Sequence, residues 1–357
     1  MWDFSWLERR APGGGYEDWD QALAELAERG YDAVRIDAFP HLIAHGPTRA
    51  WHLTPVWSQE RWGSTEPISV TVLPDLVRFI ERCQEHRVVV ALSSWFRQDR
   101  LETRLRIRTP QDLVEIWRMT LAVLEKAGVL DAIVWVDLCN EFPLEMWAPF
   151  VDREEAVRDR SMGLRPGGRW MKEAIAGLRA SYPQLTLTFS FDAEDDRWPG
   201  PDLAFLDLLE LHIWMAQWSD FYARVGYVFD LFGPSGYDAL AARGEAVYRS
   251  DPDRWLSGLR EGIAGAAAWS RQLGRPLATT EGWGVINFRD DPRLDWGWVK
   301  ELCDVGVSEA LRTERWVALC TSNFCGPQFS GMWDDVAWHR RLTDRIHSAH
   351  IAPFDSS

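Results

Sequence analysis

Two glutamates that each close an apolar run are the residues of this chain best suited to chemistry. Glu141 ends Val136-Asp137-Leu138-Cys139-Asn140-Glu141, and Glu281 ends the run through Thr279-Thr280-Glu281. Two carboxyl groups delivered by separate strands of one barrel can work on a single acetal. One protonates the leaving oxygen while the other meets the oxocarbenium-like carbon. If the carboxyls stand about 5 Å apart, the second attacks as a nucleophile and anomeric configuration is retained. An amide, Asn140, directly precedes the first acid, and an indole, Trp283, follows the second. Acetal cleavage in a sugar is the chemistry this arrangement suits.

Such acids need strands to carry them. Apolar runs of strand length fall at Trp2–Leu7, Ala33–Ala38, Val88–Ser93, Ala132–Leu138, Leu185–Phe191, Leu206–His212, Pro276–Glu281 and Trp316–Ser322. Several are apolar almost throughout, as strands buried on both faces are. Helical periodicity fills the gaps. Leu73, Leu76, Val77, Ile80 and Cys83 share one face, and Thr109-Pro110-Gln111-Asp112 reads as a helix start with Thr as N-cap and Pro at the first position. Strands alternating with helices predict a (β/α)8 TIM barrel, with residues 1–357 forming one domain. Two long connections, His41 to about Leu73 and Met215 to about Pro252, follow strand ends and should shape a pocket on the C-terminal face. Gly13-Gly14-Gly15 is a turn before a helix near Asp18, not a phosphate cradle, because no Lys-Ser/Thr follows it.

Composition narrows the ligand. A formal charge of −15 argues against nucleic-acid and anionic-membrane partners, and 22 tryptophans offer flat faces of the kind sugar rings stack on. The five cysteines form no C-x-x-C pair, and neither they nor the eight histidines show metal-ligand spacing, so neither a metal nor a cofactor is expected. The amino terminus lacks the basic-then-apolar pattern of a signal peptide, and no run is long enough to span a membrane. A cytoplasmic protein with reduced thiols is the expectation, which favours small imported glycosides. The Trp-rich loops could equally serve a homo-oligomeric interface.

Four segments resemble the motifs of clan A glycoside hydrolases, glycoside hydrolase family five (the cellulase family) in particular. Asp137-Leu138-Cys139-Asn140-Glu141 resembles the strand-four signature, and Thr280-Glu281-Gly282 the strand-seven nucleophile motif. Val34-Arg35-Ile36 resembles the end of the second strand, and His212-Ile213-Trp214 the His-x-Tyr of the sixth. All four fall on the expected strands in the expected order. The resemblance implies a retaining β-glycosidase with Glu141 as acid/base and Glu281 as nucleophile. Asn140 would bond the sugar 2-hydroxyl, Arg35 would keep Glu281 ionised and oriented, and His212 would line the catalytic subsite.

Departures from that pattern mark a divergent branch. Trp214 stands where the family has Tyr. Ser93-Ser94-Trp95 stands where a His is usual, with His41 as a candidate replacement. Phe142 displaces the proline after Glu141, and Asn323-Phe324 ends strand eight where a Trp platform is usual, leaving Trp333 as a later candidate. Trp51, Trp57, Trp62, Trp95, Trp218 and Trp283 are candidate pocket walls. Two other readings compete: a non-catalytic sugar-binding barrel, and a metal-dependent barrel enzyme, for which no ligand cluster is evident at the strand ends.

Overall fold

The computed structural model describes residues 5–152, 167–192, 203–290 and 294–354. Its central wall is a run of parallel strands. β1 (Ala33–Asp37) pairs with β4 (Val89–Ser93), β4 with β5 (Ile133–Asp137), and β5 with β6 (Leu187–Thr188). The strand breaks at Phe189 and resumes as β7 (Ser190–Asp192), which pairs with β8 (Leu209–Trp214). β8 pairs with β9 (Leu277–Thr279) and with the short β10 (Gly282–Trp283), and β9 with β11 (Trp316–Leu319). The lower strand ends ring a cavity of about 490 Å³ whose wall includes Val34 of β1 and Leu319 of β11, the two outermost strands. This is the TIM-barrel arrangement, with helices such as Asp75–Glu85, Pro110–Ala127 and Pro252–Leu273 between the strands.

Local chemistry explains the helix starts. Thr109 Oγ accepts the Asp112 N–H, and Asp112 in turn accepts the Thr109 N–H, a reciprocal cap with Pro110 at the first position. Asp18 caps the helix Trp19–Glu28 one-sidedly, its carboxylate accepting the Asp20 and Gln21 N–H groups.

Two expectations need correction. The first strand is not formed where the structure can be described: residues 2–4 lie outside the described set, and residues 5–9 make turns. Buried polar groups account for this. Ser5 accepts from the Gly63 N–H, Glu8 pairs with Arg97 at 2.7 Å, and Trp6 Nε1 bonds the Asp37 carbonyl at the end of β1. Within the connection 41–73, moreover, β2 (Trp51–Leu53) and β3 (Ile68–Val70) form an antiparallel pair, too short to stand out as strands in the sequence.

The barrel interior is layered by the two-residue period of its strands. At the bottom lies a small apolar layer of Ala91, Trp135, Leu208 and Ala278. One step up, Arg35, Ser93, Asp137, Ser190 and Glu210 are all fully buried, so the middle layer is ionic where many barrels are aliphatic. The polar layer supports the groups at the mouth.

Candidate active site

Arg35 is the hub of that layer. Its guanidinium donates to Asp137 at 2.6 Å, Asn140 Oδ1 at 2.7 Å, Ser93 Oγ at 3.0 Å, Ser190 Oγ at 3.1 Å and Glu281 Oε1 at 3.1 Å. Glu210 lies 3.6 Å from its Nε. Burial alone would disfavour the charge, but Glu210, Asp137 and Glu281 together push the Arg35 pKa further above its ordinary value. The arginine both closes an Arg35–Asp137 bridge and fixes Glu281.

Glu141 sits just past β5 with φ 44°, a left-handed conformation that costs a non-glycine residue about 1–3 kcal/mol. Neighbouring strands hold it there: Ser190 Oγ accepts the Glu141 N–H at 2.9 Å, and the Asn140 N–H bonds the Ser94 carbonyl. The turned backbone aims the carboxyl inward. Its Oε2 accepts from Trp147 Nε1 at 3.0 Å and its Oε1 from His212 Nδ1 at 2.9 Å.

His212 spans the acids. Its Nε2 reaches Glu210 Oε1 at 3.2 Å, and its Nδ1 lies 3.7 Å from Glu281 Oε2. Burial opposes protonation of this imidazole, but Glu281, Glu141 and Glu210 outweigh burial and raise its pKa to about 10. Glu210 is correspondingly lowered to about 2: Arg35 and His212 overcome the upward push of burial. Burial pushes Glu281 up to about 7. The positive His212 resists, the charge of Glu141 adds to the rise, and Arg35 opposes it.

One oxygen of Glu141, one of Glu281 and a nitrogen of His212 all lie within 4.8 Å of one another. Among the described residues this is the one group with the reach of a metal-ligand set, a cluster not evident in the sequence. A cation there would have to displace the proton that His212 shares with the carboxylates, because a metal binds only the neutral imidazole. The trio is better matched to holding and moving protons.

Above the acids opens a cavity of about 540 Å³, within the range of small-ligand sites. Glu141, Glu281, Asn140, Trp95, Trp214 and Asn323 line it, as do Trp57 and Trp62 from the connection 41–73 and Tyr222 and Tyr227 from the connection 215–252. Trp214 Nε1 is buried without a hydrogen-bond partner, so the indole does not reproduce a hydroxyl bonded to Glu281. His212 does not line the cavity. It is fully buried behind the two acids it touches.

Three expected residues lie elsewhere. His41 is fully buried, bonds the Arg97 carbonyl through Nε2 and packs on Phe96; burial lowers its pKa to about 4, so it is neutral and replaces nothing at the site. Trp283 turns into the core, donating to the Cys320 carbonyl at 3.1 Å and lying so close to Gly306 that a Cβ there would stand 2.4 Å from its ring. Trp333 stacks on Tyr31 and donates to Glu25. Trp51 and Trp218 are likewise absent from the described cavity wall.

Conversely, the sequence reading missed Glu210, Trp147 and Glu60. Glu210 had a signal: a charge in an apolar strand, two residues before His212 and therefore on the same face. The other two sit in loops, where no periodicity marks them.

Comparison with known proteins places the chain in a class. Residues 1–347 match the model of the cellulase-like family described as sugar-binding cellulase-like. The chain belongs to that family. A structure from Parabacteroides distasonis ATCC 8503, described as a candidate glycoside hydrolase, is 45% identical with a TM-score of 0.92, covering 99% of this chain and 93% of its own. More distant barrels share the fold. The endo-1,4-beta-D-mannanase of Thermotoga petrophila RKU-1 has a TM-score of 0.51 at 12% identity, covering 85% of this chain and 83% of its own. A family five, subfamily 18 glycoside hydrolase from Bifidobacterium longum subsp. longum ATCC 55813 has a TM-score of 0.51 at 14% identity, covering 99% and 81%. No curated protein matches the chain significantly. Among the described residues no helix is long and apolar enough to cross a membrane.

Proposed function

We propose that this chain is a retaining β-glycosidase acting on small β-linked glycosides by double displacement. The observation that carries the reading is the approach of Glu141 and Glu281 to within 4.8 Å, oxygen to oxygen, at the floor of an aromatic pocket. That separation suits direct attack and leaves no room for the water an inverting enzyme places between its acids. Glu281, held by Arg35, attacks the anomeric carbon while Glu141 protonates the departing oxygen. Glu141 then takes a proton from water as the glycosyl ester is hydrolysed. His212 holds both acids in register, and Asn140, fixed by Arg35, faces the 2-hydroxyl. The five buried, unpaired thiols fit a reducing, cytoplasmic setting.

The family description as sugar-binding, together with the unpartnered Trp214 indole, favours one alternative, a non-catalytic sugar binder. Aryl β-glycosides (glucoside, galactoside, mannoside, xyloside, fucoside, cellobioside) separate the two. Wild type should release the aryl group and Glu281→Ala should not. Azide should restore the mutant, giving a glycosyl azide of inverted configuration, whereas Glu141→Ala with azide should give the retained one. Exchanged stereochemistry would exchange the two roles. Silence across the panel, with sugars still quenching tryptophan fluorescence, would establish the binder instead.

A further inference from the structure

A third carboxyl group faces the pocket and has no part in the mechanism above. Glu60 lies in the connection 41–73, is 2% exposed, and lines the cavity with the two acids. Its Oε1 accepts a hydrogen bond from Tyr237 Oη at 2.5 Å, across 177 residues of sequence, so its orientation is fixed from outside its own loop. Its Oε2 is buried and has no hydrogen-bond partner. Asn323 Oδ1, on the same cavity wall, is buried and unpartnered as well. An unsatisfied buried polar atom costs about 1–3 kcal/mol, a cost that a ligand hydroxyl would relieve. The described lining also carries four acids (Glu60, Glu141, Asp192 and Glu281) and no Lys, Arg or His.

Resting on the glycosidase reading, we infer that Glu60 is a substrate-binding residue. Its free oxygen bonds one hydroxyl of a neutral pyranose and Asn323 Oδ1 accepts from another, while the other acids of the wall (Glu141, Asp192 and Glu281), with no cation beside them in the described lining, turn away uronic and phosphorylated sugars. Burial, only partly offset by the Tyr237 bond, pushes the Glu60 carboxyl up to about 8, so at neutral pH it is an uncharged group able to donate to a sugar oxygen. An uncharged Glu60 adds no repulsion beside Glu281. An isosteric amide can do much of the same work, and a methyl cannot.

The test compares wild type, Glu60→Ala, Glu60→Gln and Tyr237→Phe on 4-nitrophenyl β-glucoside, galactoside, mannoside, xyloside and glucuronide. Fluorescence titrations with the corresponding free sugars run alongside. Glu60→Ala should lose about 10- to 100-fold in kcat/KM on the preferred glycoside, mostly through KM. Glu60→Gln should recover most of that loss, and a monodeoxy glycoside lacking the contacted hydroxyl should be insensitive to Glu60→Ala. Tyr237→Phe, which leaves the pocket wall intact, should lose roughly 3- to 10-fold, so the inference remains testable if Glu60→Ala does not fold. An active wild type with Glu60→Ala or Tyr237→Phe unchanged on every glycoside would overturn the inference and leave the glycosidase standing. Faster turnover of the glucuronide than of any neutral glycoside would also overturn it. If no glycoside is cleaved, the glycosidase reading fails by itself. Weaker free-sugar binding by Glu60→Ala would then still support Glu60 as a ligand contact, and unchanged binding would refute it.

Discussion

Replacing Arg35 by Lys separates the catalytic and structural duties of the buried hub. The guanidinium serves Asp137 at 2.6 Å through Nη2 and Glu281 at 3.1 Å through Nη1, with Glu210 3.6 Å from Nε. A lysine keeps the positive charge but carries a single ammonium that cannot hold these separate directions at once. It should stay with Asp137, the shortest contact, and release Glu281. A hydrogen bond to a charged group contributes about 1.5–3 kcal/mol, so an orienting contact realised in the transition state predicts a loss of about 10- to 100-fold, mainly in kcat. Arg35→Met is harsher, because it strands buried carboxylates at a cost of about 3–5 kcal/mol or more, a large share of a normal folding free energy. The assay pairs kcat and KM on the preferred aryl glycoside with urea denaturation. A folded Arg35→Lys enzyme with kcat within about twofold of wild type would refute the claim that Arg35 orients the nucleophile.

Other consequences follow from the same geometry. With the nucleophile Glu281 pushed up to about 7, kcat/KM should rise about tenfold per pH unit up to about pH 7 as this carboxyl ionises; a profile already flat from pH 5 would contradict this. Glu60 binds its proton more tightly folded (about 8) than unfolded, so its burial destabilises the fold increasingly as pH rises from 4.5 to 8. Glu60→Gln should therefore gain on the order of 3 kcal/mol over wild type at pH 7 and little at pH 4.5, read from urea midpoints. Gly306→Ala would drive a methyl into the Trp283 ring, costing about 1–3 kcal/mol and lowering activity through the adjacent Glu281 segment. A Gly306→Ala protein with unchanged melting temperature would show that the packing is looser than it stands here.

The legible parts of this molecule were those where one physical rule dominates. Val89–Ser93 and Ile133–Asp137 are buried on both faces, so apolar runs announced them. Thr109 and Asp112 announced a helix start because capping is local chemistry. Glu141 and Glu281 were named as candidates because each closes an apolar strand run, whereas Asn140 and Arg35 were named only through the resemblance to the family's motifs. Tryptophan was ambiguous for a physical reason: Trp95 on the pocket wall and Trp283 in the core are both fully buried, and nothing in composition separates an indole facing a cavity from one facing a helix. Glu60 was invisible for the opposite reason. Its partner Tyr237 is remote in sequence, and only tertiary structure brings the two together.

The most direct test of the central claim is covalent trapping. The 2-deoxy-2-fluoro glycosyl fluoride of the sugar preferred in the aryl panel should inactivate the enzyme in a time-dependent manner. It should add one glycosyl unit to the intact mass and place it, on peptide mapping, at Glu281. Turnover without any trapped adduct, or an adduct on Glu141 or another residue, would contradict the account.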